Sequence, residues 1–341
     1  MPNFRMIHIY MSMLSILVIA PGLSQAAPME YQGSRVEGNY VWGGAMNLAW
    51  HEMTENILHE KLQLNTSNQA ALEMAAKFNR APFTKKDLDQ NSYYVKSGLG
   101  QKTLDIINNE SRLKFPGKSF ADLNMPLEPA DFIAYAYFLK QVEYLNQFKE
   151  KRVNFREEIV QGFGASTVDQ KKNVEVLEYK DDDHFIIGLK LKNQADRLLL
   201  AKGFDMHGPG AVVSRIAKYG SGNFPDMDRV DRFEMPKLHL KHQRNYGELI
   251  NKFFKNKGWE QFIIKEMFEN IKFDMDQKGA RVENEAVIRG GRGGARRPAP
   301  VQFRSFILDK PFWVVMKRKG SQYPYFLLGV ENTAFMEKGG K

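Results

Sequence analysis

Near its C-terminal end the chain carries two almost uninterrupted apolar runs, "PFWVVMK" from Pro311 and "YPYFLLGV" from Tyr323, separated only by "RKGSQ". Runs that do not alternate polar with apolar residues describe strands covered on both faces, here paired as a hairpin deep in a core. A chain of 341 residues, 43% hydrophobic and 26% charged, has enough material to build the layers that such a hairpin needs. The absence of cysteine excludes disulfides, thiol catalysis and cysteine-bound zinc, so packing alone must stabilise the fold.

Upstream, the texture divides. "GGAMNLAWHEMTENILHEKLQL" places Met46, Leu48, Trp50, Met53, Ile57 and Leu58 near a 3.6-residue period, and "QAALEMAAKF" and "GQKTLDIINNESRLKF" continue in that manner. From Ala130, "ADFIAYAYFLKQVEY" reads as a central strand buried on both faces. "NVEVLEY" and "FIIGLKLK" form a hairpin across "KDDDH", whose acids lack the alternating spacing of a calcium loop. "FEMPKLHLKHQ" reads as one strand, and "NYGELINKFFKNKGWEQF" as an amphipathic helix ended by Gly258. Helices early and strands late, without internal repeat or linker, predict one α+β domain over residues 27–341.

The N-terminus carries Arg5, an apolar run from Ile9 to Ala20, and a small-x-small pattern at Ser24, Gln25 and Ala26. That pattern predicts a signal peptide over residues 1–26 and a secreted protein, extracellular or periplasmic. The run is too short to span a bilayer comfortably, and no membrane partner is expected. Asn65-Thr66-Ser67 and Asn109-Glu110-Ser111 fit the N-glycosylation pattern, which matters in a eukaryotic secretory route. The serines of "GFGAS" and "YGSGN" do not form a nucleophile elbow, and the seven histidines show no metal-ligand spacing. The sequence predicts no enzyme, no metal and no cofactor.

Residues 273–298, "FDMDQKGARVENEAVIRGGRGGARRP", pose the sharpest question. Phe273 and Met275 face one way, with Asp274 and Asp276 opposite; after Gly279, alternation resumes with Ala280, Val282, Asn284, Ala286 and Ile288 on one face. Then "RGGRGGARRPAP" abandons order, with glycines that keep the backbone extensible and arginines that stay solvated. A potential strand is thus tethered to a protease-sensitive loop. The formal net charge of +9 also suits a polyanion, and "RGGRGG" resembles a short RNA-binding box, although export argues against a nucleic-acid partner. The basic segments at 171–173 and 241–244 are candidate contacts for an acidic polysaccharide.

These residues carry a resemblance. "FENIKFDMDQKGARVENEAV" is similar to the strand and hinge that precede the reactive loop of serpins, and "DKPFWVVMKRKGSQYPYFLLGV" resembles that family's closing hairpin. "FEMPKLHLKHQRNYGELINKFFKNKGWEQF", "VEVLEYKDDDHFIIGLKL" and "TLDIINNESRLKF" with "ADFIAYAYFLKQVEYLNQF" match further family segments in the correct order, covering about residues 100–331. Tyr135 stands where the family has an asparagine, and residues 27–99 are poorly matched. The resemblance implies N-terminal helices, a large central β-sheet, smaller sheets and an exposed reactive-centre loop, here about residues 279–303. It further implies a monomer that inhibits a target serine protease: the protease cuts the loop and is trapped as the loop inserts into the central sheet. Gly279, Ala280, Val282, Asn284 and Ala286 would form the hinge and insertion face. Arginine at the cut suits a trypsin-like enzyme, with Arg292-Gly293 the first candidate bond, Arg296-Arg297 the second, and Arg289 also within the exposed region. A non-inhibitory serpin-like substrate or carrier is the alternative, since Arg281, Val282, Glu283, Asn284 and Glu285 replace the small residues that inhibitors favour in the hinge.

Overall fold

The two apolar runs pair as the patterning predicts. Phe312–Arg318 and Pro324–Val330 form an antiparallel hairpin in which Val314 lies opposite Leu328 and Val315 opposite Leu327. All of these side chains are buried. The computed structural model describes residues 31–220, 222–282 and 304–339; the predicted signal segment 1–26 lies outside them. The first half contains β1 (Ser34–Val36), β2 (Asn39–Gly43), α1 (Ala45–Met53), α2 (Gln69–Arg80), β3 (Tyr93–Leu99), α3 (Gly100–Lys114), β4 (Phe132–Phe138) and β5 (Lys140–Glu143). Next come β6 (Lys149–Phe155), β7 (Glu158–Gly164), α4 (Val168–Lys171), β8 (Val174–Asp181), β9 (His184–Leu189), β10 (Asp196–Lys202) and α5 (Gly210–Ala217). The chain closes with β11 (Arg232–Pro236), β12 (Leu238–Asn245), β13 (Phe268–Met275), β14 (Gly279–Val282), β15 (Ser305–Ile307), β16 (Phe312–Arg318) and β17 (Pro324–Val330).

The hairpin occupies the middle of a seven-stranded sheet ordered β1-β2-β17-β16-β10-β9-β8. A second sheet, β12-β13-β14-β5, packs on it through Phe273, whose ring stacks on Phe326 at 4.6 Å and 27°. The β3-β4 pair and the sheet β15-β11-β7-β6 complete the strand layers. The expected helices form where the 3.6-residue period runs. Asn68 caps α2 by accepting from the Ala71 amide at 3.0 Å, and Trp50 of α1 stacks on Phe78 of α2 at 4.9 Å. Ala71, Ala75 and Phe78 are the buried stripe of α2; Leu104, Ile107 and Ser111 are that of α3, which lies over β3 and β4. Among the described residues no helix is long and apolar enough to cross a membrane.

Three expectations need correction. "FEMPKLHLKHQ" is two strands in two sheets: β11 pairs with β7 and β15, whereas β12 pairs with β13. Pro236, which has no N–H to donate, ends β11; the Lys237 amide still donates to Gln161 O of β7 at 2.9 Å before the chain crosses to β13. "NYGELINKFFKNKGWEQF" holds no α-helix. It makes a single 3-10 turn at Gly247–Leu249, then bridges Ile250 to Ile264, Phe253 to Ile263 and Phe254 to Leu64. Asn251 adopts a left-handed φ of 56°, and the Asn256 side chain binds Lys61 O at 3.0 Å and the Gln63 amide at 2.8 Å. These tertiary hydrogen bonds outweigh a modest helix preference. Finally, "ADFIAYAYFLKQVEY" is not one strand buried on both faces: it divides at Leu139, where the pairing partner changes from β3 to β14, and most of β4 is only half-buried.

Trp313 sits at the centre of this packing, fully buried, with its indole N–H on Asp205 O at 3.0 Å and its ring edge-on to Tyr40 at 5.4 Å. Trp313→Ala is expected to lower unfolding free energy by about 3–5 kcal/mol, read from the shift of the urea midpoint.

Candidate functional site

The turn between β13 and β14 is set by one side chain. Asp276 Oδ1 accepts from the Lys278 amide at 2.7 Å and the Gly279 amide at 3.3 Å, while the Asp276 amide donates to Gly279 O at 3.0 Å. The chain therefore reverses within three residues. Beyond it β14 is paired on both edges: Asp274 with Arg281 and Met275 with Ala280 on one side; Gly279 with Glu143, Ala280 with Val142, Arg281 with Gln141 and Val282 with Lys140 on the other. Gly279 is required by close approach, since a Cβ there would lie 2.1 Å from the Val142 carbonyl oxygen. Ala280 is fully buried. Of the predicted hinge residues, Gly279, Ala280 and Val282 are thus brought together in one strand seated between β13 and β5. Asn284, Ala286, Arg289, Arg292, Gly293, Arg296 and Arg297 lie outside the described residues.

Past Val282 the two flanking strands continue with no described strand between them. On the β5 side, β4 pairs only with β3; on the other, Phe268–Phe273 of β13 pair only with β12. The opening is a cleft of about 830 Å³. Its floor is α1, through Met46, Ala49, Trp50 and Met53, and its roof is the segment following α3, through Phe120, Leu123 and Met125. Among the described residues, two strands thus present unpaired backbone donors and acceptors to one another across an apolar space, an arrangement that a further strand would satisfy.

One buried carboxyl lines the cleft, and a buried ion pair lies beneath β5. Alternation along β13 turns Glu269 to the same side as Ile271, Phe273 and Met275, into the interior. Its Oε2 accepts from the Tyr246 hydroxyl at 3.1 Å and its Oε1 from the Met46 amide, in the first turn of α1, at 3.4 Å. Burial pushes the Glu269 carboxyl up to about 7, against the pull of these two donors and of Arg244. At the hinge end, Lys140 is buried with its ammonium 3.0 Å from Asp196 and 3.4 Å from Asp89. Sequence reasoning missed Glu269, although the alternation that found Phe273 and Met275 extends to it.

The other charged candidates are engaged elsewhere. Asp183 of the acidic turn is paired with Lys202 at 3.0 Å and Lys310 at 2.7 Å. His239 lies 3.0 Å from Asp274, and that hydrogen bond raises its pKa above the ordinary histidine value. In the basic segments, Lys172 pairs with Asp169 at 3.1 Å and Arg244 stacks over Tyr246 at 4.2 Å.

No family model matches the chain, and no curated protein matches it in sequence. Solved structures do. The mouse protein-Z dependent protease inhibitor has a TM-score of 0.50 at 11% identity, over 87% of this chain and 92% of its own. Serpin48 of the insect Tenebrio molitor has a TM-score of 0.46 at 14% identity, over 86% of this chain and 91% of its own. The chain has the serpin fold. Human thyroxine-binding globulin is also similar, with a TM-score of 0.45 at 11% identity, over 72% of this chain and 77% of its own. At such identities the likeness is one of fold, and within that serpin fold the residues of the cleft are this chain's own.

Two outcomes follow from the hinge and from Glu269. Gly279→Ala is expected to unseat β14, because its Cβ meets backbone that cannot yield; hydrogen exchange at the Ala280 and Arg281 amides should then accelerate markedly. For Glu269, the folded protein holds a proton that the unfolded chain releases above its ordinary pKa of 4.5. Stability should therefore fall as pH rises from about 5 to about 7, by on the order of 3 kcal/mol from this group, and level off above. Glu269→Gln should remove that slope in urea titrations run across the range.

Proposed function

We propose that the protein is a secreted serpin-type inhibitor of trypsin-like serine proteases, cut in its Arg-rich segment and trapping the enzyme as the freed strand enters the cleft. The observation that carries this reading is the cleft that no described strand fills, with β14 seated at one end and paired on both edges. Continued in the same register, Glu283 would fall opposite Lys272, following the Arg281 and Asp274 pair. Opposite charges in such positions favour pairing by roughly 0.2–1 kcal/mol each. Ala286 would fall opposite Glu269, and Ile288 opposite Met267. The uncut state would be held kinetically, with ladder hydrogen bonds and apolar burial released on insertion. Arg292-Gly293 is the first candidate bond and Arg296-Arg297 the second, and the mouse neighbour's name points to the same class of activity. The inhibitor would act as a monomer.

A second reading rests on Asn284. In the continued register its amide would enter the interior between Ile271 and Phe138, at a desolvation cost unless it finds a partner. Slow insertion would make the protein a protease substrate that keeps the fold and releases the enzyme.

Mixing the protein with trypsin and running a denaturing gel separates these readings. A covalent band at the summed mass, lost in Arg292→Ala, supports inhibition. Clean cleavage with full residual protease activity overturns it and supports the substrate reading; a large rise in melting temperature of the cut form would then show insertion that comes too late.

A further inference from the structure

The cleft is apolar along its floor and roof, and Glu269 is the carboxyl buried beneath it. Glu269 lines the cleft and keeps 6% of its surface accessible. With a strand in place, the space above is occupied by peptide and the nearest water is displaced. The ionised form would lose that residual solvation, while the neutral form would lose little. The groups packed around Glu269 offer scant compensation. From β12 and the turn after it come Arg244, whose guanidinium lies flat on the Tyr246 ring, and Tyr246 itself. The neighbouring His242 is held below its ordinary pKa by burial and by Arg244, which keeps it neutral near pH 7. Tyr40 of β2 is held above the ordinary tyrosine range by burial. From α1 comes only the Met46 amide, and β4 contributes Tyr135 and Tyr137 across the cleft. On β13 itself Lys272 and Asp274 alternate to the opposite face, where Asp274 meets His239.

We propose that filling the cleft with an extended strand is coupled to uptake of one proton at Glu269, so that the cleft accepts a strand more readily in mildly acidic than in mildly alkaline solution. The inference rests on the strand-accepting reading of the cleft given above and adds its regulation. The carboxyl titrates near neutrality while the cleft is open. A filled cleft shifts that titration upward, and linkage then sets the preference.

The test is binding of a synthetic peptide with the sequence of residues 283–291, acetylated and amidated to remove its terminal charges, to the full chain at pH 6 and pH 8. The wild-type protein should bind about tenfold more tightly at pH 6, the ratio that linkage gives for one group moving from pKa about 7 to well above 8. Glu269→Gln should bind equally at both pH values and about as tightly as wild type at pH 6. His239→Gln should keep the tenfold change. Equal wild-type affinity at the two pH values would overturn the inference while leaving the strand-accepting cleft intact. Loss of the pH effect in His239→Gln, or its persistence in Glu269→Gln, would move the proton elsewhere and also overturn it. No binding at either pH would sink both the inference and the reading beneath it.

Discussion

Two backbone edges face one another across the cleft, and much of the molecule serves to keep them apart. The stack of Phe273 on Phe326 ties β13 to the central hairpin, so that strand cannot drift towards β4 without opening the core. On the other side α1 and α3 sandwich the β3-β4 pair. The Asp276 turn and the double pairing of β14 close one end. Unpaired strand edges invite pairing; here each wall is anchored to a different part of the fold, and no described strand fills the gap.

Anchoring also explains why ionisable groups are tolerated around it. Lys140 and Asp196 neutralise one another within the interior, where removing either would leave an uncompensated charge. Glu269 has no ion-pair partner among the described residues and meets its surroundings by holding a proton near neutrality. An ion pair thus lies beneath β5, and a lone carboxyl lies over the floor helix.

Much of this was legible in the sequence because it depends on period. Alternation at Phe273, Met275 and Ala280, the apolar continuity of residues 312–317 and the 3.6-residue spacing through Trp50 each reported a local rule that the fold obeys. The resumption of alternation after Gly279 was readable too, whereas the turn that Asp276 makes was not. What else was not legible depends on partners distant in the chain. Residues 245–262 have the spacing of a helix, yet Asn256 spends its side chain on Lys61 and Gln63, and nothing local announces that. The break at Leu139 falls where the pairing partner changes from β3 to β14, and the division of 233–245 between two sheets is decided by which strands wait on either side of Pro236. The cleft itself is a relation between β4 and β13 that neither segment encodes alone.

The parallel pairing of β15 with β11 has a consequence for the segment between β14 and β15. Ser305 lies beside Arg232 in one sheet, whereas Val282 lies beside Lys140 in another. The intervening chain is therefore held at both ends by separate layers, and every residue drawn into the cleft must be taken from the span that reaches β15. On the strand-insertion reading, covalent continuity would be the latch: a single severed peptide bond would turn a span fastened at two points into a strand fastened at one, free to move without disturbing either sheet.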